Sequence, residues 1–249
     1  MIGDGLETAW IGQPAAECLV FLHEGLGSIT QWRDVPAKIT AASGYPAFVY
    51  ARQGYGTSEP VHVPRPLTYM HDEAYRLPSV LAAAGITKPI LIGHSDGASI
   101  AIIAAGSGVP VSGLVLIAPH VFVEDVAVDE ITAAAEAYRT TDLRARLAKH
   151  HADVDGAFWG WNRAWLDPDF RTWNLEQFLP AITVPVLVVQ GDADEYGTLA
   201  QVAAVTTQLG GPVETLIVPG AGHTPQREPG VCEAIAAFIR ALGPRDRSP

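Results

Sequence analysis

One short stretch constrains the fold more than any other. Residues 90–101 read Ile90-Leu91-Ile92-Gly93-His94-Ser95-Asp96-Gly97-Ala98-Ser99-Ile100-Ala101, an apolar run, then Gly-x-Ser-x-Gly, then a segment of helical spacing. A strand that turns at once into a helix needs small residues two positions either side of the turn, so that the two backbones can approach. Gly93 and Gly97 meet that need. Ser95 would then sit at the tip in a strained conformation with its hydroxyl exposed, facing the free N–H groups and the positive dipole end of the helix. A chain carrying this feature needs a strand flanked on both sides, and it presents a serine suited to nucleophilic attack.

The rest of the 249 residues fits such a setting. Apolar runs of strand length recur at 19–23, 47–51, 89–92, 114–117, 186–190 and 214–218. Several lack alternation, which marks strands covered on both faces, and most are separated by helix-length segments. Helical spacing is read at 34–42, 69–84, 98–105, 199–209 and 231–242, with Gly85, Gly106 and Gly243 as terminators. This alternation predicts an α/β fold with a mostly parallel sheet. Residues 120–181 break the rhythm: they contain helical stretches at 128–138 and 143–150 and no convincing strand. They are read as a helical insertion over a core formed by 1–119 and 182–249. The tail from Gly243 is expected to fray.

Composition excludes several classes. With 48% hydrophobic residues the chain buries a core, which a disordered chain cannot do. A formal charge of −11 opposes binding to a phosphate backbone, so no nucleic acid is expected. The apolar runs fall short of the ~20 residues of a membrane helix, and the first ten residues lack the pattern of a signal peptide. The chain is therefore expected to be soluble and cytoplasmic, with no membrane partner. Cys18 and Cys232 lie too far apart in sequence to read as a framework and fit two buried thiols. His150-His151, followed by Asp153 and Asp155, would diverge on a helix amid solvated charge, so no metal is implied. No nucleotide fingerprint follows a strand, and no cofactor is expected. The expected partner is a small-molecule substrate, with a homodimer as an open option.

A serine hydroxyl needs a base, and the base needs an orienting group. After the run at 186–190 comes Gly191-Asp192-Ala193-Asp194-Glu195, and after that at 214–218 comes Pro219-Gly220-Ala221-Gly222-His223. Both loops fall at the carboxyl ends of strands, the edge where α/β sheets build their sites. Together with Ser95 they give the chain order Ser, Asp, His. On these motifs the sequence resembles the α/β-hydrolase fold superfamily over nearly its whole length. The resemblance implies a serine hydrolase with a helical lid, in which Ser95, Asp194 and His223 are catalytic. Asp192 is the runner-up acid, with loop hydrogen bonding as its other role. His23-Glu24-Gly25-Leu26-Gly27 resembles the family's H-G-x-x-G loop, which implies that the N–H groups of Gly25 and Asp96 form the oxyanion hole. Glu24 departs from the usual glycine; pairing with Arg52 is the favoured reading of it, while Glu24 and Asp96 could instead attract a cationic substrate group or one of them act as an extra acid. Residues 50–58 resemble the family's D-x-R-G-x-G-x-S turn, with Arg52 tying loops together.

Four of the six tryptophans, Trp159, Trp161, Trp165 and Trp173, crowd one part of the insertion beside Phe158 and Phe170. Such residues supply apolar pocket walls. Trp159, Trp161, Arg163 and Trp165, with Glu24 and His120, are the candidate substrate-binding residues. The expected activity is hydrolysis of a small to medium carboxylic ester or lactone. Carbon–carbon bond hydrolysis, aminopeptidase action and cofactor-free dioxygenation stay open on the same fold, as does a receptor without turnover. Epoxide hydrolases and haloalkane dehalogenases use an aspartate nucleophile, and Ser95 argues against them.

Overall fold

The computed structural model describes residues 5–243; the charged tail beyond Gly243, expected to fray, lies outside them. Seven strands form one sheet among the described residues: β1 (Thr8–Ile11), β2 (Glu17–Leu22), β3 (Ala47–Tyr50), β4 (Lys88–His94), β5 (Gly113–Ile117), β6 (Val186–Gly191) and β7 (Val213–Val218). Their order is β1-β3-β2-β4-β5-β6-β7, and every neighbouring pair is parallel except β1 with β3. The mostly parallel sheet is as expected. β1 is an addition, a four-residue edge strand of half-buried positions whose apolar run, Ala9 to Ile11, is too short to stand out.

The period-2 alternation of a strand divides the core in two. Leu19, Phe21, Val49, Ile90, Ile92, Val115 and Val189 face one side, where α1 (Val35–Ser43) and α8 (Val231–Leu242) cover them. Val20, Leu22, Phe48, Leu91, Leu114, Leu116 and Val188 face the other, under α2 (Tyr69–Ala83), α3 (Asp96–Gly106) and the segment between β5 and β6. α3 is buried along nearly its whole length, which explains why it reads as small and apolar rather than amphipathic.

Helix ends refine the sequence reading. α1 stops at Gly44, whose φ of 80° is the left-handed cap that favours glycine. Gly106 does not stop α3: it is the last helical residue, and a Cβ there would press on Phe178. Between β5 and β6 run α4 (Asp125–Thr140), α5 (Leu143–Leu147) and α6 (Val154–Trp165), followed by two short 3₁₀ turns, and before β7 comes α7 (Leu199–Gln208). α5 is shorter than the stretch read to residue 150, and α6 emerges from the residues first noted only for their aromatic density.

The register fixes what meets at the sheet edge. Leu22 lies opposite Gly93, Gly93 opposite Leu116, Ile117 opposite Val189, and Gly191 opposite Val218. The carboxyl ends of β2, β4, β5, β6 and β7 therefore deliver His23, Ser95, His120, Asp194 and His223 to the same side of the molecule. No helix among the described residues is long and apolar enough to cross a membrane.

Candidate active site

Ser95 has φ 53° and ψ −119°, a region L-residues rarely occupy. Its N–H donates to the Ile117 carbonyl at 2.9 Å, and its own carbonyl accepts from Ala98 and Ser99 at 2.8 and 3.1 Å, starting α3. The glycines are required as the sequence implied. A Cβ on Gly93 would collide with the Gly97 carbonyl, and one on Gly97 with the Leu22 carbonyl.

Asp194 and His223 form a bonded pair. The His223 Nδ1 lies 2.9 Å from each carboxylate oxygen of Asp194. The carboxylate also accepts from the Tyr196 N–H at 2.8 Å and from Gln190 Nε2 at 2.7 Å. Burial works to raise the Asp194 carboxyl, but the hydrogen bond and charge of His223 outweigh it and hold it below the ordinary range. A carboxylate placed against Nδ1 leaves Nε2 as the free basic nitrogen. Asp192 is turned away, accepting from the Gly220 N–H at 2.6 Å. Glu195 accepts from the His223 main-chain N–H at 3.1 Å.

The loop after β2 is held from behind. His23 Nε2 accepts from the Arg52 N–H at 3.0 Å, so its Nδ1 carries the proton and donates to the Glu24 carbonyl at 2.7 Å. The Arg52 guanidinium donates to the carbonyls of His23 and Glu24. Arg52 thus ties loops together as expected, yet it engages the main chain and not the Glu24 side chain. The expected Glu24–Arg52 pairing is corrected: Glu24 Oε2 instead faces His94 Nδ1 at 3.4 Å. Gly25 lies under the Trp161 indole so closely that a Cβ would overlap it.

Asp96 follows Ser95 at the first turn of α3, where main-chain N–H groups have no carbonyl one turn back. Its buried carboxylate accepts from Tyr69 at 2.6 Å and from the Trp165 indole at 3.3 Å. Burial raises this carboxyl above its ordinary value, against the opposing pull of Arg52, Tyr69 and Trp165.

Beside them lies a cavity of about 110 Å³, partly open to solvent. Ser95, Asp96, His223, Gly25 and Glu24 line its floor side; Trp161, Trp165 and Ile131 from the helical segment, with His120 and Tyr196, line the rest. His120 is buried, and burial, reinforced by the nearby His223, lowers it to about 3, so it is neutral. Two candidates are not brought in. Trp159 stacks among Tyr138, Phe158, Arg139 and Arg163, outside the cavity lining, and Arg163 is exposed.

Three features escaped the sequence reading. Tyr196 packs 4.7 Å from the His223 ring. His94 donates from Nε2 to the His223 carbonyl at 2.7 Å. His151, expected amid solvated charge, is buried: it accepts from the Gly56 N–H at 3.0 Å and donates to the Leu26 carbonyl at 2.9 Å, and His150 bonds Thr30. Only the aromatic or histidine identity of these residues was visible beforehand.

Residues 19–235 match the profile of the alpha/beta hydrolase family. No curated protein matches the sequence. Among solved structures, one described as a carboxylesterase of Nitrososphaera gargenis is similar with a TM-score of 0.78 and 18% identity, over 95% of this chain and 94% of that one. An esterase from Exiguobacterium antarcticum gives 0.73 and 20%, over 94% and 95%. A proline iminopeptidase of Mycobacterium smegmatis gives 0.70 and 19%, over 97% of each. At such identities the likeness is one of fold.

Proposed function

The chain belongs to the alpha/beta hydrolase family, and on that premise we propose that it is a cofactor-independent serine hydrolase acting on small carboxylic esters or lactones. The observation that carries this reading is the cavity shared by Ser95 on its strained turn and by the Asp194-bound His223. In the proposed reaction His223 Nε2 takes the Ser95 proton as Oγ attacks the acyl carbon. The N–H groups of Gly25 and Asp96 hold the oxyanion, the step at which preorganised donors matter most. His223 then gives its proton to the departing alkoxide, leaving an acyl-serine. Water, deprotonated by the same nitrogen, attacks the acyl-serine, and its collapse returns the proton to Ser95. Asp194 holds the imidazole tautomer and balances the imidazolium as it forms.

Residues 120–181 act as the lid in this proposal, with Trp161, Trp165 and Ile131 closing the apolar side. Size favours short acyl chains, since the cavity beside Ser95 holds only about 110 Å³. Purified protein should hydrolyse p-nitrophenyl acetate and butyrate faster than the octanoate, and a fluorophosphonate should label Ser95 and leave the Ser95→Ala variant unlabelled. Absence of both hydrolysis and label would overturn the reading and favour a binding protein without turnover.

A further inference from the structure

A pair of residues between the serine turn and the β2 loop has no part in the steps above. His94 closes β4 and is buried at 2% exposure. Its Nε2 faces the His223 carbonyl at 2.7 Å and its Nδ1 faces Glu24 Oε2 at 3.4 Å. A carbonyl and an ionised carboxylate offer a ring nitrogen only acceptors, so both contacts are favourable together when each ring nitrogen bears hydrogen. A third neighbour, Gln226, fits this arrangement with its amide turned over. The Gln226 amide nitrogen lies 3.4 Å from Nδ1, while its Oε1 is buried without a partner. Turning the amide over sets that acceptor against Nδ1, which satisfies it only when Nδ1 bears hydrogen.

The carboxylate side is consistent with this. Burial works to raise the Glu24 carboxyl, but the hydrogen bond and charge of His94 outweigh it and bring it to about 2. Left unpaired, a carboxylate one residue before Gly25 would oppose negative charge growing on a substrate oxygen.

We propose, resting on the serine-hydrolase reading, that half-buried Glu24 and buried His94 form an ion pair that positions the His223 loop through its main-chain carbonyl and cancels the Glu24 charge beside the oxyanion hole. Both are positioning residues. The pair also gives a physical reason for glutamate where the resembling loop has glycine.

The arrangement has a signature that simple packing lacks. His94→Gln strands the Glu24 charge, whereas Glu24→Gln removes it, and the double variant removes charge and countercharge together. With a short chromogenic ester, kcat should fall about 100-fold in His94→Gln and about 10-fold in Glu24→Gln, with the double variant recovering to about the Glu24→Gln level. KM should stay within about twofold throughout. A double variant no better than His94→Gln would overturn the charge-cancelling role. Nitrogen-15 NMR of histidine-labelled wild-type protein at pH 7 tests the pair without activity and without dependence on the folding of any variant. His94, identified as the ring coupled to the His223 carbonyl, should show two protonated nitrogens. An unprotonated Nδ1 would overturn the pair itself. If no ester is cleaved and Ser95 takes no label, the hydrolase reading fails separately, and the NMR result still decides the ion pair.

Discussion

Asp192 and Asp194 stand two residues apart on one loop in opposite surroundings. The Asp194 side chain is 1% exposed and receives three kinds of donor, from His223, Tyr196 and Gln190, while Asp192 is exposed and bonds one loop N–H. Asp194→Asn should therefore lower kcat by about 10³- to 10⁴-fold, since an amide opposite Nδ1 favours the wrong tautomer. Asp192→Asn should stay within about threefold of the parent, the scale expected for a surface change. Steady-state kinetics on both variants check this, and the reverse ranking would move the acid two residues back. The bonded pair of Asp194 and His223 was legible because each follows an apolar strand at a fixed offset. The neighbours of Glu24 were not. Charge complementarity suggested Arg52, but its guanidinium instead gives its two terminal nitrogens to main-chain carbonyls, those of His23 and Glu24.

At the level of elements, the helical segment is pinned to the core by the short link between α5 and α6. His151 reaches out of that link to the Gly56 turn and to Leu26, the residue after Gly25, and the Ala152 N–H adds a bond to the Gly56 carbonyl at 2.8 Å. His151→Ala would leave the buried Gly56 N–H unpaired, a cost of about 1–3 kcal/mol, while the Leu26 carbonyl keeps the Gln31 amide at 2.7 Å. Urea unfolding should show a loss of that size, and limited proteolysis should cut faster between α5 and α6; unchanged stability and cutting would show that the pin carries no weight. Parallel strands were legible from their unbroken apolar runs, and their order along the chain followed. β1 was not, because TAWI is short, half-exposed and antiparallel at an edge. The inward turn of His151 was hidden too, since extending α5 to residue 150 placed both histidines on a helix that in fact stops at Leu147.

Over the whole molecule, three of the buried histidines weaken the fold in acid. His23, His120 and His151 are each lowered from the ordinary value of 6.5, with burial the largest cause in all three. Folded, they stay neutral where the unfolded chain binds protons, so stability is full above pH 6.5 and is lost as pH falls below it. The slope should reach about 1.4 kcal/mol per pH unit for each histidine that stays neutral. Urea midpoints should fall between pH 7 and 5, ahead of the carboxylate range, and a flat profile there would contradict the neutral state of these rings.

The indoles of Trp161 and Trp165 touch Gly25 and Asp96, the two residues proposed to cradle the oxyanion. The helical segment is thus bolted to the floor of the proposed site. Transplanting residues 120–181 onto another sheet of the same architecture should transfer substrate preference only if Gly25, Asp96 and Tyr69 travel with the graft; a chimera given the helices alone would inherit the shape of the chamber and forfeit its chemistry.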